Sequence, residues 1–241
     1  MQTGLYVSLS SQLALDRRMT TLADNVANAT TVGFRATEIK FNKVISDQKI
    51  ADVAFVSQGQ EFMNTRSGGL TETGGPLDFA IKGDAWFQVE TPAGPTLTRD
   101  GRFALTEAGE LVTLNGYMVL DAGGGPIQLD PENGSISLSA DGQLNQNGQP
   151  VAALGLFSAD LSGGFMRAGN SGLITTLAPE PVIDRLDAGV VQGYIEESNV
   201  NAMSEMTQLI QITRAFESTA ALLRDSESSL SEAVRVLGGS K

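Results

Sequence analysis

Two patterns in the sequence combine residues that enzymes use for covalent or acid–base chemistry. Ser46 and Lys49 have the Ser-x-x-Lys spacing of a serine nucleophile beside a lysine base, but the Ser-Asp-Asn and Lys-Thr-Gly motifs that accompany this pair in known enzymes are missing. Asp78 and Asp84 could supply the two carboxylates of a glycoside hydrolase, although such pairs arise by chance in an acidic chain. A solvated turn explains the first pattern better, and we predict that the protein is not an enzyme.

The sequence predicts no metal or cofactor site. Residues 141–152 begin like a calcium-binding loop, but the sixth position is Gln146 where the loop needs glycine, and the twelfth is Ala152 where it needs glutamate. The chain has no cysteine and no histidine, which excludes disulfides, zinc fingers, thiolate nucleophiles and imidazole bases. We therefore predict no cofactor and no small-molecule substrate.

Charge and hydropathy argue against two further classes of partner. The chain carries 28 Asp and Glu against 16 Lys and Arg, a net charge of -12 at pH 7, which repels nucleic acid and anionic lipid. The longest apolar stretch, about residues 151–157, is far shorter than the roughly 20 residues that span a bilayer. No basic residue precedes the first apolar residues, so we expect no cleaved signal peptide and export by another route.

Residues 71–190 have the composition of a Gly-rich, all-β domain. All eight prolines lie between Pro76 and Pro181, and five Asn-Gly or Asp-Gly pairs punctuate short alternating segments. Such pairs are a strong hairpin signal because both residues tolerate positive φ.

The two ends of the chain have the apolar spacing of long helices. Near the N-terminus the spacing of four and three residues continues over Leu15, Met19, Leu22, Val26 and Ala29. Near the C-terminus it continues over Ala202, Met206, Leu209, Thr213, Phe216, Ala220, Leu223, Glu227, Leu230, Val234 and Leu237. A stripe this narrow is typical of a coiled coil, although a helix packed on its own domain is the alternative. We predict an α+β fold in which the terminal helices form a coiled-coil-like stem, by pairing with each other or with other subunits.

Three separated motifs resemble those of the bacterial flagellar rod and hook proteins. Residues 23–35 read ADNVANATTVGFR, and residues 193–201 read GYIEESNVN ahead of the second predicted helix. In the middle, residues 75–87 and 98–103 are similar to the β domain of the same family.

The resemblance implies a structural subunit of the proximal rod in the basal body. Its terminal helices would polymerise with other copies and with other rod proteins into a drive shaft that spans the periplasm, transmits motor torque to the hook and supports motility. Such subunits leave the cell through the flagellar type III export apparatus. The implied segments are an assembly helix and signature turn (1–34), a connecting segment (35–70), an outer β domain (71–190) and a second assembly helix (191–241).

The same resemblance implies which residues form the assembly interface. In the signature, Asn25 and Asn28 suit a helix end, Gly33 suits a backbone that a Cβ would block, and Phe34 offers an apolar anchor. Ser198 or Asn199 is the expected N-cap of the second helix. The predicted interface residues are Leu15, Met19, Leu22, Asn25, Val26, Asn28, Gly33, Phe34, Met206, Leu209, Phe216, Ala220, Leu223, Leu230, Val234 and Leu237.

A different class of function stays open at this point. The acidic β domain could belong to a secreted protein that binds or processes glycans, with helices that only dimerise it. Loss of polysaccharide turnover on replacing Asp78 or Asp84 would distinguish this hypothesis from a structural rod subunit.

Overall fold

The computed structural model describes residues 2–46, 53–57, 59–139, 142–182 and 188–239. Helix α1 is Gln2–Ala27 and helix α2 is Ala202–Gly238. The first strands are β1 (Thr37–Lys40), β2 (Lys43–Ser46), β3 (Val53–Val56), β4 (Gln60–Met63), β5 (Leu70–Glu72), β6 (Phe79–Lys82), β7 (Trp86–Thr91), β8 (Gly94–Thr98), β9 (Phe103–Leu105) and β10 (Leu111–Thr113). The others are β11 (Met118–Val119), β12 (Ile136–Leu138), β13 (Gln143–Gln146), β14 (Gln149–Ala153), β15 (Leu156–Ser158), β16 (Phe165–Ala168), β17 (Gly172–Thr175), β18 (Glu180–Pro181), β19 (Gly189–Gln192) and β20 (Tyr194–Glu196).

The chain forms two compact units. One, the helical unit, comprises Met1–Ala27, Thr37–Phe62 and Asn201–Lys241. The other, the β unit, comprises Asn28–Ala36 and Met63–Val200. The chain therefore passes between the units four times, and residues 28–36 belong to the β unit although they directly follow α1.

In the helical unit, α1 packs against several elements at once. It contacts α2, β1 and β3, and β2 pairs with β3 as an antiparallel hairpin. Ala14 and Leu22 of α1 and Ile212 of α2 are buried. Apolar positions on α1 thus belong to a small mixed core rather than to a two-helix seam alone.

The β unit is built on a nine-stranded antiparallel sheet. Its main path is β16-β17-β8-β7-β11-β10-β9, and β15 pairs with both β7 and β18. Separate small sheets pair β19 with β6, β20 with β5, and β13 with both β12 and β14. The predicted turn at Asn147 and Gly148 joins β13 to β14, with φ of 51° and 77°. Positive φ at both positions matches the hairpin turn that an Asn-Gly pair favours.

Two hydrophobic clusters lie in the β unit, and β7 contributes to both. Trp86 belongs to a cluster with Leu97 and Phe157, whereas Phe87 belongs to a larger one with Phe79 and other residues. Consecutive residues of a strand point to opposite faces of the sheet, so neighbours in sequence enter different cores. Both aromatic side chains are at most 3% exposed.

The predicted α+β fold with a helix at each end is confirmed, and α2 ends at Gly238 with Gly239 as its C-cap. The predicted coiled-coil-like stem is wrong. Beyond Leu223, every side chain that the structure describes in α2 is exposed, including Val234 at 70% and Leu237 at 84%. The reason is that α1 shares its apolar positions with β1 and β3, whereas a stem needs a continuous seam that only the partner helix covers.

Candidate assembly site

The family signature forms a tight turn directly after α1. The Thr31 amide donates to the Asn28 carbonyl oxygen over 3.1 Å, and the Thr31 hydroxyl donates to Asn28 Oδ1 over the same distance. The Phe34 amide then donates to the Thr31 carbonyl oxygen over 3.2 Å. Asn28 therefore turns the chain away from the helix. We call residues 28–36 the N-connector, because they follow α1.

Gly33 sits where no larger residue fits. Its φ is +70°, and a Cβ built on it would lie 2.3 Å from the Asp100 nitrogen and 2.4 Å from the Arg99 carbonyl carbon. Both neighbours are backbone atoms, which cannot move aside as a flexible side chain would. The Gly33 amide also donates to the Glu196 carbonyl oxygen over 2.7 Å. This glycine thus lets the N-connector lie directly on two other segments of the β unit.

The Phe34 side chain packs within the β unit. Its side chain is 3% exposed, and the Arg167 guanidinium carbon lies 4.3 Å from the ring centroid. The same guanidinium donates from Nη2 to the Arg35 carbonyl oxygen. A cation above an aromatic face is attracted by the ring's negative π cloud. Residues of the β unit therefore already cover the Phe34 ring in this chain.

Asn25 ties together three elements of the helical unit. Its Nδ2 donates to the Thr37 carbonyl oxygen over 2.9 Å, and its Oδ1 accepts from the Thr37 amide over 3.0 Å. Nδ2 also lies 3.2 Å from Glu205 Oε2 at the start of α2. The amide side chain is 2% exposed. The Asn25 side chain therefore makes two hydrogen bonds to the Thr37 backbone, of the kind that a neighbouring strand would otherwise make.

Residues 193–200, which we call the C-connector, lead into α2. Asn199 Oδ1 accepts from the Ala36 amide over 2.7 Å, and Asn199 Nδ2 donates to the Asn64 and Arg66 carbonyl oxygens over 2.9 and 2.8 Å. The prediction of Ser198 or Asn199 as the N-cap is wrong. Asn201 is the N-cap, and its side chain accepts from the Ser204 amide over 3.1 Å. The Asn199 side chain instead forms hydrogen bonds with the N-connector and with residues 64–66.

Three buried charged side chains join the connectors within the β unit. Arg35 Nη2 lies 2.7 Å from Glu196 Oε1, and Arg99 Nε lies 3.1 Å from Glu196 Oε2. All three side chains are at most 2% exposed. We call Arg35, Arg99 and Glu196 the charge triad. Each lies in a different one of the three sequence motifs.

Backbone carbonyls satisfy most of the remaining donors of the triad. Arg35 donates from Nη1 to the Thr65 and Arg66 carbonyl oxygens, and Arg99 donates to the carbonyl oxygens of Ala85 and Gly83. Glu196 Oε1 also accepts from the Gly68 amide over 3.0 Å. Both Nε atoms and Glu196 Oε2 have no aligned hydrogen bond. The contact between Arg99 Nε and Glu196 Oε2 is thus a charge pair without hydrogen-bond geometry.

Burial shapes the electrostatics of the triad. Desolvation lowers the pKa of Arg99 to about 10, with the Glu196 carboxylate opposing the shift and the Arg35 charge adding to it. Desolvation likewise lowers the pKa of Arg35, again opposed by Glu196. Both guanidinium groups stay charged at neutral pH. The triad therefore holds two buried cations on one carboxylate.

Sequence reasoning did not find this triad. Each member lies in one of the three family motifs, but these motifs are far apart in sequence and only the tertiary fold brings the three side chains together. One signal was available: Glu196 shares a short segment with the apolar or aromatic residues Tyr194 and Ile195, and this segment forms β20. A carboxylate at such a position needs a buried partner or water.

The predicted interface residues fall into distinct environments. Leu22, Asn25, Gly33 and Phe34 are buried. The half-buried ones are Leu15, Met19, Val26, Asn28, Leu209, Phe216, Ala220 and Leu223. Only Met206, Val234 and Leu237 are exposed, and the Leu230 side chain lies outside the described part of the structure.

Each helix also exposes an apolar stripe, of which sequence analysis singled out only Met206. On α1 the stripe is Tyr6, Leu9 and Leu13, with exposed fractions of 58%, 46% and 60%. On α2 it is Met203, Met206 and Ile210, with exposed fractions of 78%, 46% and 55%. Both follow a spacing of three and then four residues, which places each set on one helix face.

Of the candidate enzyme residues, Asp78 and Asp84 lie in the described part of the structure. Asp78 Oδ2 accepts from the Thr73 hydroxyl over 2.6 Å, as a turn-stabilising contact would. Lys49 and Asp141 lie outside the described residues. Across the described ranges, acidic side chains form no cluster suited to a metal ion. Neither described helix has the length and hydropathy of a membrane span.

Comparison with known proteins identifies relatives along the whole chain. Family models match residues 5–35 (Flagella basal body rod protein), 80–146 (Flagellar hook protein FlgE/F/G D1 domain) and 191–236 (Flagellar basal body rod FlgEFG protein C-terminal). The chain is 62% identical to the flagellar basal-body rod protein FlgF of Rhizobium meliloti over 241 residues, all of both chains. It is 55% identical to FlgF of Mesorhizobium japonicum over 99% of each chain, and 38% identical to FlgF of Caulobacter vibrioides, again over 99% of each.

Proposed function

The chain belongs to the flagellar basal-body rod protein family, most like FlgF, and we propose from this membership that it builds the proximal rod through its two terminal helices. As a family member it is a structural subunit of the rod in the flagellar basal body, where it assembles with other rod components. Relatives named as rod proteins imply a structural role and not an enzyme.

The observation that carries the proposal is the exposed apolar surface of the helices. Among the described residues, ten of the seventeen exposed large hydrophobic side chains lie on α1 and α2. An exposed apolar stripe is unfavourable in water unless a neighbour covers it. Helices of neighbouring subunits, from this protein and from other rod proteins, are the proposed neighbours.

The energetic scale is sufficient for a stable polymer. Covering roughly 1,000 Å² of apolar surface at about 25 cal/mol per Å² contributes roughly 25 kcal/mol before the ordering costs of association are subtracted. A contact of this size holds without covalent bonds. It suits a drive shaft that transmits motor torque across the periplasm to the hook and so supports swimming.

The proposal also includes the route by which subunits reach the rod. We infer export through the flagellar type III apparatus, as the family resemblance implies. The absence of cysteine from the sequence is compatible with crossing into an oxidising compartment, since no thiol is available for mispairing.

Matched pairs of substitutions test the proposed surface. Met203→Glu and Leu13→Glu place a charge on the stripes of α2 and α1. Met166→Glu and Leu114→Glu change residues of the β unit with similar exposure, 66% against 78% and 62% against 60%. Glutamate is a good helix former, so the helices keep their propensity.

We expect the stripe variants to be folded by circular dichroism but absent from purified rods, with no swimming in soft agar. The β-unit variants should assemble and swim. Normal rods in both stripe variants would contradict assembly through these helix faces.

A further inference from the structure

The charge triad makes the closed β unit depend on one residue of the C-connector, Glu196. Arg35 and Arg99 are 2% and 1% exposed, and Glu196 is the carboxylate with which both form ion pairs. Removing one partner of a buried ion group leaves an uncompensated charge in a low dielectric. Without Glu196, two neighbouring guanidinium groups would be buried with no counter-charge between them.

The C-connector docks directly on segments that precede it in the chain. The Glu197 amide donates to the Gly69 carbonyl oxygen over 2.8 Å, and the Asn199 amide donates to the Phe34 carbonyl oxygen over 3.3 Å. A Cβ on Gly68 would lie 1.9 Å from the Glu197 carbonyl oxygen, so the two backbones are in close contact. The C-connector thus supplies part of the hydrogen bonding of both the N-connector and residues 64–69.

We propose that Glu196 is an electrostatic latch, which closes the β unit around Arg35 and Arg99 and orders the two connectors together. The N-connector follows α1 and the C-connector precedes α2 in the chain, so one closing step orders both segments of the β unit. Glu196 comes after Arg35 and Arg99 in the sequence, and the β unit closes only when the C-connector brings this carboxylate to the two guanidinium groups. Resting on the proposed function, the latch delays assembly competence until the C-connector is in place.

Closure can be followed in the full chain through its single tryptophan. Trp86 is 3% exposed, and the Arg99 guanidinium carbon lies 5.6 Å from its ring centroid. Glu196→Gln removes the counter-charge with little change of shape. We expect acrylamide to quench Trp86 several-fold more strongly, and the Gly33 and Glu197 amides to exchange at least about 100-fold faster than in the natural protein.

Glu197→Gln is the matched control. Glu197 is exposed and accepts from the Thr71 hydroxyl over 2.6 Å, and we expect less than about a threefold change in either measurement. Equal protection in E196Q and the natural protein would overturn the latch.

A triple variant separates charge from shape. Replacing Arg35, Arg99 and Glu196 together with methionine removes the buried charges, and apolar replacements of buried ion groups are tolerated in other proteins. We expect Trp86 to be as protected from acrylamide as in the natural protein. An open β unit in the triple variant would show that Glu196 acts through shape or hydrogen bonding, and would overturn the electrostatic mechanism.

Assembly is measured separately from closure. E196Q should fail to enter rods and E197Q should enter them normally. If E196Q has an open β unit and still assembles, the coupling of the latch to assembly is wrong while assembly through the helix stripes stands. If M203E and L13E assemble normally, the proposed function fails whatever Trp86 reports.

Discussion

Asn25 Nδ2 donates to the Thr37 carbonyl oxygen over 2.9 Å, and Asn25 Oδ1 accepts from the Thr37 amide over 3.0 Å. The side chain thus forms the two hydrogen bonds of a neighbouring strand at the first residue of β1. It also reaches Glu205 in the first turn of α2. One buried amide therefore holds the start of β1 and the start of α2 to the end of α1.

We expect Asn25→Leu to lower the free energy of unfolding by about 2 to 4 kcal/mol. The substitution removes two hydrogen bonds to the Thr37 backbone at a site where the Asn25 side chain is 2% exposed, and losing a hydrogen-bond partner costs about 1 to 3 kcal/mol for each buried group. Urea denaturation followed by circular dichroism measures the change. Asn115→Ala, at an exposed turn, should change it by less than about 0.5 kcal/mol.

Gly33→Ala should destabilise the protein for two reasons. The added Cβ would clash with backbone atoms of Arg99 and Asp100, and alanine is strained at a φ of +70°. Gly74 provides the control, since its φ is +69° and nothing lies within 4 Å of a Cβ built on it. Gly74→Ala isolates the backbone strain, which we expect to cost about 1 to 2 kcal/mol. Gly33→Ala should cost at least about 2 kcal/mol more. Equal losses in the two variants, measured by thermal unfolding, would contradict a steric role for Gly33.

The buried position of Arg99 predicts an unusual pH dependence for R99K. A lysine starts at a pKa near 10.4, about two units below arginine, and the same burial that lowers the pKa of Arg99 to about 10 would lower the pKa of the lysine further. Between this lowered pKa and the ordinary lysine pKa, the folded state binds fewer protons than the unfolded state. Stability of R99K should therefore rise with pH over this window, relative to the natural protein.

The natural protein should lack this rise up to about pH 9, because the pKa of Arg99 is lowered only to about 10 and the group stays largely protonated in both states below it. Urea unfolding at pH 7, 8 and 9, with Arg102→Lys as the partly exposed control, measures the difference. A flat difference between R99K and the natural protein would contradict strong desolvation at this site.

Asn201→Ala should weaken the start of α2 by about 1 kcal/mol, because the Ser204 amide loses its side-chain acceptor. Asn201→Asp should preserve stability, since a carboxylate caps equally well and interacts favourably with the helix dipole. Hydrogen exchange at the Ser204 amide measures the effect locally. The result for Ser198→Ala tests the corrected position of the cap, and we expect a smaller change there.

The elements that were predicted correctly depend on neighbours in sequence. Pairs such as Asn147 and Gly148 predict a hairpin because their own φ preferences favour that turn, and the structure contains it. The helices at both ends follow from a spacing that only a helix places on one face. The β-rich middle follows from turn residues between short alternating segments.

The predictions that failed concern which residues cover the apolar faces of the helices. The heptad spacing identified an apolar stripe on α2, but Val234 and Leu237 are exposed and Ile212, outside the stripe, is buried. Spacing shows which face is apolar and leaves open whether a strand, a helix or another subunit covers it. The same limit explains why the exposed stripe that begins at Tyr6 was not identified, and why Met206 was the one member of the Met203 stripe that was.

The amino-acid sequence by itself determined the family, the order of helices and strands, and the positions that accept only glycine or favour a turn. These properties arise from backbone dihedral preferences and from the order of side chains along the chain, which are local. Only the tertiary structure decided that Arg35, Arg99 and Glu196 share one buried site, and which apolar helix positions stay exposed. Pairing and burial depend on segments far apart in sequence, because desolvation is set by everything that surrounds a group in space.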